Sequence, residues 1–267
     1  MRGVGSRLDG PLAGLRVLVP GTSGGALAAA LRSRGAEPVV VPTISIRAIA
    51  SERLDRALAT ANERDWIVVT SANGVAAAFD RLRALDLPKP TAPRWAAVGP
   101  KTAAALEGEG IRVDHVPHAG LGAAIPDGMG GLKGADVLLL RARGAGEKLP
   151  RILRRRGADV EDVDAYETVE GPEESREPLR RALESGIDGA IFNSGSTARG
   201  YDSLTGGAEA LDDAGVVCIG PSTAAAAREA GFSPAAVASE RTPGGLAAAL
   251  ERAVREEAEA AGPRSRP

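Results

Sequence analysis

The chain repeats itself, and a repeat of this length restricts the fold to two related units. Residues 14–43 (GLRVLVPGTSGGALAAALRSRGAEPVVVPT) match residues 134–165 (GADVLLLRARGAGEKLPRILRRRGADVEDVDA). DWIVVTSANGVAAAF, starting at Asp65, matches DGAIFNSGSTARGY, starting at Asp188, and AAVGPKTAAALEGEGI from Ala96 matches VCIGPSTAAAAREAGF from Val217. The offset is roughly 120 residues each time, too long for a solenoid, so it marks a duplicated domain. Each segment opens on an apolar run, turns through Gly, Ser or Thr, and enters an Ala-rich stretch with helical spacing. Five such strand–helix alternations per copy predict two open parallel sheets covered on both faces.

Strands are predicted at Arg16–Val19, Pro38–Val41, Trp66–Thr70, Trp95–Val98 and Val113–Val116 in the first copy. In the second they fall at Val137–Leu140, Val160–Val163, Gly189–Phe192, Val216–Ile219 and Ala235–Ala238, after a helix over Gly120–Met129. Pro42–Ile49 (PTISIRAI) and Asp164–Val169 (DAYETV) instead alternate apolar and polar residues with no Gly-rich turn, and read as extended strands between domains. Residues 1–12 and the tail AEAAGPRSRP are small, polar and Pro-containing, which predicts disorder.

The length of 267 residues suits two modest domains, and the net charge of -2 gives no global attraction to nucleic acid or an anionic membrane. Any anionic ligand must therefore be held by local groups. The single cysteine, Cys218, lies in an apolar strand pattern and reads as a small buried hydrophobe, excluding disulfides and Cys-based zinc sites. No apolar stretch is long enough to span a bilayer and the N-terminus lacks a signal-peptide core, so a soluble cytoplasmic protein is expected. The two histidines, His115 and His118, have no carboxylate or thiol cluster around them, and no G-x-S-x-G elbow is present. Metal chemistry and Ser-His-Asp hydrolysis are both disfavoured, and no cofactor is expected.

Four turns stand where a strand feeds a helix: Thr70-Ser71-Ala72-Asn73, Gly99-Pro100-Lys101-Thr102, Asn193-Ser194-Gly195-Ser196-Thr197 and Gly220-Pro221-Ser222-Thr223. Their hydroxyls are predicted helix caps. Helix starts also offer free N–H groups and a positive dipole end, so four facing one cleft would suit a ligand bearing several carboxylates. Neither a P-loop nor a G-x-G-x-x-G is present to hold a nucleotide.

These runs resemble the uroporphyrinogen-III synthase family over about residues 14–250. The likeness rests on TSANGV from Thr70, VGPKTAAAL from Val98, LLLRARGAGEKLPRILRRRGADVEDVDAYET from Leu138, FNSGSTARG from Phe192, IGPSTAAAA from Ile219 and TPGGLAAAL from Thr242. The resemblance implies two flavodoxin-like α/β domains with parallel sheets, joined by a two-stranded ladder into which the two atypical strands fit. Read alone, the repeat gives two contiguous halves. The family arrangement is discontinuous, implying residues 1–40 with 172–267 as one domain, 53–163 as the other, and 41–52 and 164–171 as linker strands.

The resemblance further implies that the substrate is hydroxymethylbilane, a linear tetrapyrrole polycarboxylate. It is closed with loss of its hydroxymethyl hydroxyl as water, through an azafulvene cation and a spiro intermediate, with the last ring inverted. No nucleic acid or membrane partner is implied, and a transient contact with the upstream deaminase is expected. Tyr166 matches the family tyrosine in V-x-x-Y-x-T, and a phenol can give a proton to the departing hydroxyl. Its bland alternative is an aromatic packed against the ladder. Arg141 stands where the family has arginine, either pairing with a substrate carboxylate or held in an ion pair with Glu147 or a neighbour. Thr70, Ser71, Ala72, Asn73, Lys101, Thr102, Ser194, Gly195, Ser196, Thr197, Ser222 and Thr223 are the remaining expected substrate contacts. Two departures stand out: the turn Pro20-Gly21-Thr22-Ser23-Gly24 lacks the family's arginine, and His118 replaces an acidic residue. The competing reading is a non-catalytic two-domain protein that binds or senses a small ligand.

Overall fold

The structure, a computed structural model, describes residues 10–21, 25–117, 125–212 and 214–260. The predicted disorder at the two ends falls largely outside these residues, as do His118 and most of the turn after the first strand.

In chain order the described elements are β1 (Arg16–Val19), α1 (Gly25–Arg32), β2 (Glu37–Val40), β3 (Ile44–Ala48), α2 (Glu52–Ala59), β4 (Trp66–Val69), α3 (Ala72–Ala84), β5 (Arg94–Ala97), α4 (Pro100–Gly108) and α5 (Ile125–Gly128). They continue with β6 (Asp136–Ala142), α6 (Lys148–Arg155), β7 (Asp159–Glu170), α7 (Arg176–Glu184), β8 (Gly189–Phe192), α8 (Gly195–Thr205), β9 (Gly215–Cys218), α9 (Pro221–Glu229), β10 (Ala236–Val237) and α10 (Pro243–Ala260). The chain divides into two compact units, residues 1–45 with 169–267, and residues 46–168.

In the unit built from the chain's two ends, a parallel sheet runs β10-β9-β8-β1-β2. Strands β8 (GAIF) and β9 (GVVC) are buried at every residue, which explains their unbroken apolar runs. One face packs Leu18, Phe192, Tyr201 and Phe232 together, and the other packs Val17, Ile191, Val217 and the α10 residues Leu246 and Leu250.

In the middle unit the order is β3-β7-β6-β4-β5, with β7, β6, β4 and β5 mutually parallel. Ile67, Phe79, Trp95 and Leu138 fill one face, and Val68, Val137, Leu139 and Leu153 the other. The predicted strand at Val113–Val116 is reduced to one parallel bridge between His115 and Ala96. Its sequence, VDHV, interrupts the apolar run with two polar residues, so little holds a longer ladder together. The predicted helix over Gly120–Met129 is described only from Ile125 to Gly128.

Both sheets share one winding. Counted in chain order, the first runs 2-1-3-4-5. Counted from β6, the second runs the same way through β7, β6, β4, β5 and the His115 bridge. The matched segments explain this. The β1-α1-β2 part of copy one joins the β8-to-β10 part of copy two, while the complementary halves build the middle unit. The contiguous halves that the repeat alone would give are not what forms.

Val160–Val163 and Asp164–Val169, read separately in the sequence, are one twelve-residue strand, β7. Its pairing with β6 is interrupted: Arg141 lies opposite Asp164 and Ala142 opposite Tyr166, so Ala165 is the extra residue of a β-bulge. At the far edge the Gly171 N–H donates to the Thr43 carbonyl (2.9 Å) and the Ile49 N–H to the Ala165 carbonyl (3.0 Å). Partner numbers fall on one strand as they rise on the other, so β3 and β7 run antiparallel.

Candidate active site

In each sheet the strand order reverses once, between β1 and β8 and between β6 and β4, and ligands of such sheets bind beyond the strand ends at that reversal. Thr70-Ser71 follows β4, and Asn193-Ser194 follows β8, so two of the four predicted turns occupy these places.

In the middle unit the reversal brings Ser71 to Tyr166. Ser71 is the N-cap of α3: its Oγ accepts the Gly74 N–H at 3.1 Å and donates to the Tyr166 phenol oxygen at 2.8 Å. One hydroxyl thus satisfies a helix start and fixes a phenol whose own proton stays available. Tyr166 reaches this position through the bulge. Val163, Ala165 and Tyr166 all join the core on the α3 side, which strict alternation along a strand does not allow. The Tyr166 side chain is 8% exposed, and the Arg143 N–H holds its carbonyl at 2.7 Å. Gly74 makes room, since a Cβ there would lie 3.2 Å from Val69 Cγ1 and 3.6 Å from Tyr166 Cε1. Tyr201, the other tyrosine, is sealed in its core against Phe192 and Phe232, and burial pushes its phenol well above the ordinary tyrosine range.

Thr70 and Ala72 are half-buried beside Ser71, and Asn73 is exposed on the first turn of α3. Lys101 is exposed at the start of α4 while Thr102 is buried under it, and Ser222 and Thr223 repeat that pair on α9. Arg141 is 6% exposed, and all five of its N–H directions are used. Nε and Nη2 fork onto Asp162, Nη1 reaches the carbonyls of Ala145 (2.7 Å) and Gly146 (2.8 Å), and Nη2 also meets Glu147 at 3.3 Å. The hydrogen bonds it donates to Asp162 outweigh burial and raise its pKa above the ordinary arginine value. Of the two expectations for Arg141, the ion pair with its neighbours is the one the structure contains, and the guanidinium holds the turn after β6 in shape.

In the other unit Ser194 caps α8 by a capping box with Thr197, and its Oγ lies 2.9 Å from that of Ser196. Gly195 is packed closely, a Cβ there meeting Ala226 Cβ at 2.8 Å. Thr43, which no motif singles out, is fully buried and donates to the Thr197 carbonyl at 2.8 Å, bracing the same turn. Glu167 was also missed: it accepts from Arg47 Nε (2.7 Å) and from Arg143 Nη1 (2.7 Å), and hydrogen bonding from Arg47 first of all lowers its pKa. Its place beside Tyr166 was the available signal. Cys218 is buried, and burial pushes its thiol up to about 11. Among the described residues no group of acidic, His or Cys side chains is placed to hold a metal, and no helix is long and apolar enough to cross a membrane.

Residues 25–248 match the family model described as uroporphyrinogen-III synthase HemD. The chain belongs to the uroporphyrinogen-III synthase family. The enzymes that bear that name are cyclising lyases, and curated relatives agree with the placement. It is 30% identical to the uroporphyrinogen-III synthase of Synechococcus elongatus over 92% of this chain and 98% of that one. It is 32% identical to the porphyrin biosynthesis protein HemD of Ruminiclostridium josui over 82% of its own length, but spans only 45% of that protein. Solved structures share the α/β fold with parallel sheets: a uroporphyrinogen III synthase mutant from Thermus thermophilus (TM-score 0.57, 21% identity, 91% and 99% of the two chains) and the Helicobacter pylori uroporphyrinogen-III synthetase (0.58, 19%, 92% and 99%).

Proposed function

We propose that this chain is itself a uroporphyrinogen-III synthase, cyclising hydroxymethylbilane to uroporphyrinogen III with inversion of the terminal ring, and that Tyr166 is its proton donor. The supporting observation is the Ser71–Tyr166 hydrogen bond at the chain reversal of the middle sheet. The hydroxymethyl C–O bond breaks and the phenol proton passes to the departing oxygen, which leaves as water. The pyrrole nitrogen's electron pair makes the azafulvene cation, which the substituted carbon of the last ring attacks. The spiro intermediate breaks its original methylene bond, closes again at the free α-carbon of that ring, and loses that carbon's proton to the phenolate. Ser71, donating to the phenol oxygen, favours the negative charge that develops there as the proton leaves. Within the middle unit, the cap at Ser71 and the helix start at Lys101-Thr102 receive carboxylates of the substrate, a positioning role in which orientation supplies much of the rate.

On this reading the two units are flavodoxin-like domains, residues 1–40 with 172–267 and residues 53–163, linked by the β3–β7 ladder. The protein works in the cytoplasm on a substrate handed on by the upstream deaminase. The test supplies the purified chain with hydroxymethylbilane generated in place by that deaminase. A type III to type I isomer ratio well above the protein-free control is expected after oxidation, and a ratio equal to that control overturns the proposal.

A further inference from the structure

The middle unit carries a cavity of about 570 Å³ along the edge of β7, between the first turn of α2, the turn after β6 and the Arg154 side of α6. Its charges do not cancel in place. Asp162 and Glu147 are taken by Arg141, and Asp164 lies 3.5 Å from Arg143. Arg53 and Arg154, also on the lining, meet no carboxylate among the described residues, and Arg154 has only the Val160 carbonyl at 3.2 Å. Arg53 stands in the first turn of α2, where a cation opposes the helix dipole. The two acids of that turn are engaged elsewhere, Glu52 with Arg56 (3.6 Å) and Asp55 in a fork with Arg81 (2.6 Å for both bonds). Arg53 and Arg154 are both exposed, so their guanidinium groups stand open to an incoming anion. The planar fork of Arg53 matches a carboxylate, and Arg154, on the helix that packs against the other face of the sheet, brings a second fork to the same cavity.

We propose that this cavity binds a ligand bearing two carboxylates, one on Arg53 and one on Arg154. Two sources carry that chemistry: the paired acidic side chains of a pyrrole in the tetrapyrrole, which rests on the function proposed above, or a free short dicarboxylate. Arg53→Gln and Arg154→Gln, singly and together in the full chain, separate them. If the tetrapyrrole supplies the carboxylates, KM for hydroxymethylbilane rises about tenfold in the double variant while kcat and the isomer ratio stay unchanged. If a free dicarboxylate does, calorimetry with millimolar glutarate gives saturable binding to the parent chain that the double variant loses, with KM unaltered. The glutarate titration of the parent needs neither turnover nor a folded variant. No saturable glutarate binding, together with an unchanged KM or with no turnover in the parent, overturns the proposal.

Discussion

Tyr166 and Ser71 are 95 positions apart in the chain and 2.8 Å apart in the fold. Only the tyrosine was legible as chemistry in the sequence, because it sits in a recognisable run. Ser71 was legible as a cap, a role any Ser before a helix can fill, and as an expected substrate contact, but nothing local announces its bond to Tyr166. The two roles separate by substitution. Tyr166→Phe keeps the ring and its packing, so the thermal midpoint should hold while kcat falls by about 10²- to 10⁴-fold, the usual contribution of a positioned acid. Ser71→Ala should lower kcat less and also cost about 1 kcal/mol of stability through the lost cap. Paired rate and urea-denaturation measurements check both, and unchanged turnover in Tyr166→Phe would reduce that residue to packing. The same residue-scale view applies to Arg141, whose partners Asp162 and two backbone carbonyls come from a neighbouring strand and a turn that its own run does not announce.

Among the elements, the long strand β7 shows where pattern reading fails. Its first part is half apolar and its second alternates, and the bulge at Ala165 is the place where the phase changes. A phase change in a period-two pattern looks like an end, which is why one strand was read as two. Helix spacing was more transparent, since Ser71 and Ser194 begin helices where the capping pattern puts them. Helix glycines divide by their surroundings. A Cβ on Gly200 of α8 would fall 2.0 Å from the Thr43 carbonyl oxygen, whereas one on Gly108 of α4 meets nothing within 4 Å. Gly200→Ala should therefore destabilise by about 1–3 kcal/mol. Gly108→Ala should stabilise by about 0.4–1 kcal/mol through the unfolded chain. Urea titrations of both variants read the opposite signs, and equal effects would count against the close contact of α8 with Thr43.

Across the whole molecule, the repeat revealed that two similar sheets exist but not which halves combine. Local pattern records each strand–helix unit, while partner choice depends on pairings such as β1 with β8 that leave no mark on either segment. The middle unit is one uninterrupted stretch with both faces of its sheet filled by its own side chains. Residues 46–168 expressed alone should give a dispersed amide NMR spectrum and a cooperative melt. A collapsed, undispersed spectrum would show that its core is incomplete.

The pairing of β1 with β8 also sets an order of events at the ribosome. The Asp188 N–H donates to the Arg16 carbonyl across 172 positions of chain. At roughly 5–20 residues per second, the first strand and its helix wait about ten to thirty seconds for the neighbour that covers their apolar edge. The middle of the polypeptide can close in the meantime, so the newborn N-terminal segment is the part with most need of a chaperone.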